Sequence, residues 1–240
     1  MAPCSFERPH HQAIAGILRE LDARLLAAHH CLFGGGTAIA LRYGEYRESI
    51  DIDFLVSDVP DYGRLRQLIT GPDGLHAILL PGSTLRTLRE IRADQYGIRT
   101  IIASGAANIK FEIVLEARIR LAAPDPEASI CGVATIAPVD MVATKLLANS
   151  DRWADDSVYS RDLIDLAMMS PGIALEVAIE KSEGAYGSSI RRDFDLAAKR
   201  LLDRQGRLEA CMAALKMDAP KALLWQRIQT LATRIARTGA

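Results

Sequence analysis

Apolar residues recur every three or four positions in several stretches, a spacing that predicts amphipathic helices. The first stretch runs from Gln12 to Ala28 and is expected to pack on a sheet. In the second, Asp58 to Ile69, Pro60 stands near the start, where a helix tolerates proline. Later helices are predicted from Pro138 to about Asn149 and from a Ser160 cap to Met169.

Short apolar runs between these helices predict strands. Cys31 to Phe33 is followed by three glycines and the apolar stretch Thr37 to Leu41, which together indicate a strand, a turn and a helix. Ser49 to Val56 has the pattern of a buried strand with acidic residues at alternate positions. Branched residues in Gly97 to Ala103 and in Ile109 to Leu115 predict two paired strands joined by a short loop.

The remaining segments are less regular. Gly71 to Gly82 is expected to be loop, and the pattern up to Asp94 fits helix and strand equally. A short strand is predicted near Val133. Everything after Pro171 has a helical pattern, with a break expected between Gly184 and Ser188. The chain therefore predicts an α+β fold, in which helices flank a sheet and the C-terminal part is helical.

Charge changes this picture only when it is divided along the chain. The net charge of −1 favours neither a nucleic acid nor a membrane surface as a partner. Residues 171–240 nevertheless carry +4 and residues 1–170 carry −5. A row of cations on the late helices fits an RNA backbone, although interleaved acids also fit an ordinary solvated face. These cations are Arg191, Arg192, Lys199, Arg200, Arg204 and Arg207.

The four cysteines, Cys4, Cys31, Cys131 and Cys211, lie far apart and have no histidine at metal-ligand spacing. We therefore expect reduced and mostly buried thiols. The N-terminal residues lack the basic and then apolar order of a secretory signal, and no apolar run approaches the roughly 20 residues of a membrane span. A cytoplasmic protein with no membrane partner is expected.

The acidic strand contains the first candidate for chemistry. Side chains alternate along a strand, so Asp51 and Asp53 share one face while Ile52 and Phe54 point to the core. Two neighbouring carboxylates attract cations, and oxygen ligands favour Mg²⁺ or Mn²⁺. The ordinary alternative is a pair of solvated acids near the end of a strand.

A glycine turn, Gly34, Gly35 and Gly36, lies between the preceding strand and helix. Unbonded N–H groups and the helix dipole at such a position attract phosphate, and Thr37 can cap the helix or bond a phosphate oxygen. The turn lacks the lysine of a Walker loop and the full GxGxxG motif. A tight turn with an ordinary cap is the alternative interpretation.

A third acid lies on the strand Ile109 to Leu115, where Lys110 and Glu112 occupy one face and Phe111 the other. Glu112 would complete a three-carboxylate metal group, which can hold the attacking and leaving oxygens of an in-line displacement. A lone acid on a strand is otherwise a surface residue.

Four strings in this order resemble the AbiEii/AbiGii toxin family of nucleotidyltransferases, within the DNA polymerase β-like nucleotidyltransferase superfamily. They are GGGTAIALR, RESIDIDF, KLLANSDR and RDLIDL, and the resemblance covers about Phe33 to Met169. It implies a nucleotidyltransferase-like mixed sheet flanked by helices. The domains expected from it are an α/β core at residues 1–138 and a helical domain with the late motif at residues 139–240.

The resemblance also assigns residues. It matches Gly35, Gly36 and Thr37 to nucleotide binding, and Asp51 and Asp53 to metal binding. It departs from the family at the third acid, commonly aspartate in related transferases, which here is Glu112.

In the late motif, the resemblance implies that Lys145 binds phosphate and that Asp162 is catalytic. Without the family, Lys145 would be a surface lysine and Asp162 an acid suited to the start of a helix. Arg161 and Asp165 are spaced to pair on the helix surface. The linker between Arg152 and Arg161 is longer than is usual in the family.

The resemblance implies that a nucleoside monophosphate is transferred from a nucleoside triphosphate (NTP) to an acceptor hydroxyl, with Mg²⁺ or Mn²⁺. Some family members modify the acceptor end of tRNA and act as toxins of toxin–antitoxin pairs. A tRNA and a cognate antitoxin are therefore the expected partners. The sequence leaves open nucleotidylation of a small molecule or a protein, and a non-catalytic nucleotide-binding module. An unrelated metal phosphohydrolase is a weaker rival, since it would not need the glycine turn.

Overall fold

The computed structural model describes residues 5–105, 107–125, 127–170 and 172–238. The chain forms two compact units. The first consists of Met1–Glu45 and Ser49–Ala137, and the second of Tyr46–Glu48 and Pro138–Ala240. The second unit is therefore discontinuous in sequence, because it includes three residues from the segment just before the acidic strand.

A mixed sheet lies at the centre of the first unit. Its strands in the described residues are β1 (Leu32–Gly34), β2 (Asp51–Val56), β3 (Arg86–Thr87), β4 (Arg92–Ala93), β5 (Gly97–Ser104) and β6 (Ala107–Leu115). Their order across the sheet is β1-β2-β6-β5-β3, and β4 also pairs with β5. The β2 and β6 strands are parallel and the other pairs are antiparallel. The predicted strands and the predicted mixed sheet are confirmed.

One face of the sheet is built on aromatic side chains. Phe33, Phe54 and Phe111 lie on three adjacent strands, and the centroids of neighbouring rings are 5.6 Å apart. All three side chains are fully buried, which stabilises the fold by about 1.5–3 kcal/mol for each ring. Because side chains alternate along a strand, the acidic residues of β2 and β6 lie on the opposite face.

The helices in the described part of the first unit flank this sheet. They are α1 (Pro9–Glu20), α2 (Ala23–Ala28), α3 (Gly35–Arg42) and α4 (Val59–Ile69), with a 3-10 helix at Gly74–Ile78. The α1 helix packs against β5 and β6, as the apolar face of the first predicted helix requires. Asp58 caps α4 through the backbone N–H of Asp61, and Pro60 lies in the first turn as predicted.

The single helix predicted from Gln12 to Ala28 is wrong, because the chain breaks between α1 and α2. Leu21 has extended backbone angles and forms an isolated bridge with Leu79. The carboxylate of Asp22 then accepts bonds from the N–H groups of Arg24 and Leu25 and starts a new helix. Apolar residues at helical spacing lie on both sides of the break, so the spacing alone predicted no interruption.

The stretch from Gly71 to Gly82 is not only loop as expected, because it contains the 3-10 helix. The pattern up to Asp94 that fitted helix and strand equally forms the two short strands β3 and β4, which extend the sheet at β5. The short strand predicted near Val133 is confirmed as β8 (Val133–Ala134), which pairs with β7 (Ser129–Ile130).

The described part of the second unit is helical. Its helices are α5 (Pro138–Arg152), α6 (Arg161–Met169), α7 (Leu175–Tyr186), α8 (Ser189–Asp203), α9 (Arg207–Ala214) and α10 (Lys221–Arg237). The predicted break lies at Gly187, whose φ of +60° favours glycine. Ser160 precedes α6 as predicted, but its side chain makes no capping bond and its φ is +52°. The expected Ser160 cap is therefore wrong.

Cys31, Cys131 and Cys211 are buried and form no disulfide, as expected, while Cys4 lies outside the described residues. Burial raises the pKa of the Cys31 thiol far above its usual value. None of the helices in the described ranges combines the length and the apolar character that crossing a bilayer requires.

Candidate active site

Asp51 and Asp53 lie on the same face of β2, and both are partly exposed while Ile52 and Phe54 are buried. The pairing register places Asp53 between Gly34 of β1 and Glu112 of β6. Register neighbours lie side by side on a sheet, so these residues belong to one small surface. The first unit thus brings together the two predicted metal ligands, the glycine turn and the third acid.

The glycine turn passes directly over Asp53. A Cβ atom on Gly35 would lie 2.4 Å from Asp53 Oδ2 and 2.8 Å from Asp53 Cβ. Gly35 also has a φ of +67°, in the left-handed region that side chains disfavour. Only glycine therefore fits between the start of α3 and this carboxylate.

Thr37 does not have the role that the sequence predicted for it. Gly34 is the capping residue of α3, and Thr37 is fully buried. The Thr37 hydroxyl donates to the backbone carbonyl of Asp51 at 2.5 Å and lies 2.8 Å from the Ser49 hydroxyl. The turn still presents the N–H end of α3, but the Thr37 side chain fixes the acidic strand and neither caps α3 nor faces solvent.

Glu112 lies beside Asp53, but two cations hold its carboxylate. Arg99 Nε lies 3.0 Å from one oxygen, and Lys110 Nζ lies 2.7 Å from the other. Within the described ranges, no group of three or more His, Cys, Asp or Glu residues is arranged to hold a metal ion. As the chain is folded here, Glu112 is close to the acidic pair without completing a three-carboxylate cluster.

Asp51 and Asp53 fit a divalent cation on chemical grounds. Both supply oxygen ligands, which Mg²⁺ and Mn²⁺ prefer. Because Gly35 has no side chain, the start of α3 lies directly against the Asp53 carboxylate, so a phosphate at that helix end would lie close to the same acid. The pair of acids and the glycine turn therefore match the needs of a metal-bound phosphate.

The other two predicted residues, Lys145 and Asp162, meet in the second unit. Lys145 Nζ lies 2.8 Å from Asp162 Oδ1 and 2.7 Å from Asp165 Oδ2. Only 5% of Lys145 is exposed, which rules out the surface lysine that its sequence position suggested without the family. An ammonium group has three donors, so two are used by these carboxylates and one is left for another acceptor.

Asp165 is the member of this group that the sequence prediction did not place here. It was expected to pair with Arg161 on the helix surface, and this expectation is wrong, because Asp165 is fully buried. Its carboxylate binds Arg47 through Nε at 2.6 Å and Nη2 at 2.8 Å, and it accepts from Tyr46 Oη at 2.5 Å. The Arg47 in the RESIDIDF string was the available signal, but nothing in the sequence gave its partner.

Arg152 completes this buried ion group, with Nε 2.7 Å and Nη2 2.9 Å from the two oxygens of Asp162. Three cations, Arg47, Lys145 and Arg152, thus share two carboxylates, which gives the five groups a net charge of +1. A surplus positive charge of this kind suits an anionic ligand.

The cations keep both carboxylates ionised. Burial alone would raise the pKa of Asp162, but Lys145 and Arg152 hold it well below its usual range. Burial acts in the same direction on Asp165, and Arg47 and Lys145 outweigh it, so that pKa is also lowered. Burial would lower the pKa of Arg47, and Asp165 raises it above its usual value. Asp162, Asp165 and Arg47 are therefore charged at neutral pH.

The basic residues of the later helices already have acidic neighbours. Arg191 pairs with Glu183, and Lys199 pairs with Asp195. A single carboxylate, Asp156, is shared by three arginines, namely Arg200, Arg204 and Arg207. The structure therefore shows these cations as members of ion pairs, as on a solvated helix face.

Comparisons with known proteins identify a family and a similar fold. A family model described as "Nucleotidyl transferase AbiEii toxin, Type IV TA system" matches residues 17–233. A crystal structure from H. pylori, described as a candidate nucleotidyltransferase, covers 95% of both chains with a TM-score of 0.51 and 17% sequence identity. At that identity the likeness concerns the fold alone. No curated protein matches the sequence.

Proposed function

Because the chain belongs to the AbiEii family of nucleotidyltransferase toxins, we propose that it transfers a nucleoside monophosphate from an NTP to tRNA in a metal-dependent reaction. The family makes it a nucleotidyltransferase of a type IV toxin–antitoxin system. We propose the metal, the acceptor and the catalytic residues.

The observation that carries the proposal is the position of Asp53 beneath Gly35, with Asp51 on the same face. These two carboxylates would hold the divalent cation. A cation bound there would neutralise phosphate oxygens and stabilise the charge that develops during transfer. The start of α3, with Gly34 at its N-cap, would supply N–H groups to a phosphate.

In the reaction, the oxygen of an acceptor hydroxyl attacks the α-phosphorus of the NTP. The bond from that phosphorus to the bridging oxygen breaks, pyrophosphate leaves with its electron pair, and the hydroxyl proton passes to a nearby base. Glu112 is our candidate for the third acid. Its carboxylate would act after it releases Arg99 or Lys110 and contacts the substrate complex instead.

In the second unit, we propose that Lys145 binds phosphate through its remaining N–H and that Asp162 orients it. Asp162 and Asp165 each hold one N–H of the ammonium group, so its third N–H points in a fixed direction. A fixed cation stabilises phosphate charge without reorganising during the reaction.

The acceptor is proposed to be tRNA, and a cognate antitoxin is the proposed protein partner. The type IV toxin–antitoxin family supports the antitoxin. The ion pairs of the basic helices give the tRNA assignment less support, since their charges are already partly neutralised.

The test is transfer of label from each α-³²P-labelled NTP, with Mg²⁺ or Mn²⁺, to total tRNA, to purified proteins and to small hydroxyl compounds. We expect labelled tRNA from the wild type, and loss of labelling on chelation of the metal or in Asp53→Asn. If only a protein or a small molecule is labelled, that molecule is the acceptor in place of tRNA, and the proposed chemistry is unchanged. Equal labelling by Asp53→Asn, or labelling that survives full chelation, would refute the proposed site.

A further inference from the structure

His11, in α1, is fully buried and is bonded at both ring nitrogens. Its Nδ1 lies 2.7 Å from Glu45 Oε1, and its Nε2 lies 3.1 Å from the backbone nitrogen of Ser49. A backbone N–H only donates, so Nε2 has to accept and the ring proton is on Nδ1. His11 is thus a neutral imidazole that donates to Glu45 and accepts from Ser49.

Glu45 is itself held in place. Its carboxylate accepts from the backbone N–H groups of Glu7 at 2.8 Å and Arg8 at 3.2 Å. The side chain of Arg8 donates to the Glu45 carbonyl at 3.0 Å. Glu45 has a φ of +53°, a conformation that costs energy in a residue with a side chain and persists where surrounding bonds impose it.

The hydrogen bond at Nε2 of His11 leads towards the candidate metal site. Ser49, which donates to His11, is two residues before Asp51. The hydroxyls of Ser49 and Thr37 lie 2.8 Å apart, and Thr37 donates to the Asp51 carbonyl. Hydrogen bonds from α1 and α3 therefore fix the main chain both at Asp51 and just before it.

On the basis of the proposed function, we propose that His11 is a positioning residue for the metal site. Through the hydrogen bonds of Ser49 and Thr37 it is connected to the backbone carbonyl of Asp51, and it fixes the main chain from which Asp51 projects. Groups that orient metal ligands in this way typically change metal affinity about 10- to 100-fold when they are replaced. Glu45 supports the role, because it holds the His11 ring in the orientation that accepts from Ser49.

A purely structural role would have a different signature. A buried histidine that only satisfies a backbone N–H contributes to stability, and its loss would leave the affinity of the folded protein for a metal unchanged. The two roles therefore separate when metal binding and stability are measured on the same variants.

In the experiment, the full chain is titrated with Mn²⁺ alone. Binding is measured by calorimetry and from the electron paramagnetic resonance signal of Mn²⁺. His11→Leu removes both ring bonds. His11→Gln keeps one acceptor for Ser49 and one donor for Glu45 at the end of its side chain. Leu75→Ala, in the 3-10 helix, is the control, because it removes a buried apolar side chain of the same unit.

We expect the Mn²⁺ dissociation constant to rise about tenfold or more in His11→Leu and to be restored in His11→Gln. Leu75→Ala should lower the unfolding temperature and leave the dissociation constant unchanged. If His11→Leu does not fold, Thr37→Val tests the same hydrogen-bonded connection at its other end, since it removes the hydroxyl that bonds both Ser49 and Asp51.

Equal Mn²⁺ affinity in His11→Leu, or in Thr37→Val if His11→Leu does not fold, would overturn the positioning role while leaving the metal site intact. An equal loss of affinity in Leu75→Ala would also overturn it, because stability alone would then explain the effect. A wild-type protein that binds no Mn²⁺ would instead refute the metal site of the proposed function, and the positioning role with it.

Discussion

At the scale of single residues, Gly35 sets the geometry of the candidate site. Its φ is +67°, and a methyl group there would overlap the Asp53 carboxylate. The methyl group of Gly35→Ala should therefore displace Asp53 in addition to straining the backbone. We expect nucleotidyl transfer by Gly35→Ala to fall to the level of Asp53→Asn, measured as labelled product from an α-labelled NTP.

The matched control is Gly82→Ala. Gly82 has a φ of +86°, but no atom lies within 4 Å of the position of its added Cβ. Both substitutions impose a similar backbone strain of about 1–2 kcal/mol, and Gly35→Ala adds the overlap with Asp53, so it should lower the unfolding free energy by more than Gly82→Ala does. Gly82→Ala should keep full transfer activity. Loss of activity in both variants would show that strain, and not the contact with Asp53, explains the effect.

Alternation along a strand was enough to predict that Asp51 and Asp53 share a face. It could not predict the partners of Glu112. Arg99 lies opposite Glu112 on the antiparallel strand β5, and that pairing depends on a register that the sequence does not contain. The burial of Thr37 was likewise unpredictable, because its hydroxyl partners lie 12 and 14 residues away.

The competition between cations and metal at Glu112 leads to a second prediction. If Glu112 becomes a metal ligand, Glu112→Gln should raise the Mg²⁺ concentration for half-maximal transfer about tenfold. Arg99→Met should lower it, because that change removes a cation held by the same carboxylate. Titrations of transfer rate against Mg²⁺ measure both. An unchanged Mg²⁺ requirement in the two variants would exclude Glu112 from the metal site.

At the scale of elements, α5 and α6 are joined by the buried ion group. Lys145 and Arg152 of α5 bind Asp162 of α6, and Lys145 also binds Asp165. Removing one partner from such a group leaves buried charge uncompensated. We expect Asp165→Asn to lower the unfolding free energy by about 3–5 kcal/mol in urea titrations. Asp195→Asn, which removes only an exposed ion pair with Lys199, should have little effect.

The same ion group predicts how stability depends on pH. The folded pKa values of Asp162 and Asp165 are lowered, so their contribution is fully present above the unfolded value of about 3.9. This contribution to the unfolding free energy is lost as the pH falls from about 3.9 through the pKa values of the folded protein. The urea midpoint should thus decline below about pH 4, and less steeply in Asp165→Asn. An equally steep decline in both proteins would mean that other carboxylates control acid stability.

Most elements followed from local patterns, and each exception has an identifiable structural cause. The starts of α4 and α5 were predicted from Pro60 and Pro138. The break at Leu21 was not, because it depends on a bridge to Leu79, a residue 58 positions away. The Ser160 cap failed because that residue adopts left-handed angles, in which its side chain makes no bond to the helix.

At the scale of the whole molecule, the basic C-terminal charge provides a test of the tRNA proposal. Asp156 neutralises Arg200, Arg204 and Arg207 at once. Asp156→Asn should therefore strengthen binding of labelled tRNA and make its dependence on salt steeper, since each added phosphate contact steepens the slope. Fluorescence anisotropy over a series of salt concentrations measures both quantities.

Asp195→Asn is the control for this experiment as well, because it makes the same change in net charge and releases only Lys199. If both variants strengthen binding equally, net charge alone is responsible. If neither changes the affinity, these helices do not contact tRNA.

Because the second unit is discontinuous in sequence, it limits recombination between related genes. Arg47, from the early segment Tyr46–Glu48, supplies two bonds to Asp165 on α6. A hybrid gene with one crossover near codon 138 would join an early arginine from one parent to a late aspartate from another. Recombination between divergent relatives should therefore succeed mainly where both parents encode this pair, or where a second crossover transfers the early segment too.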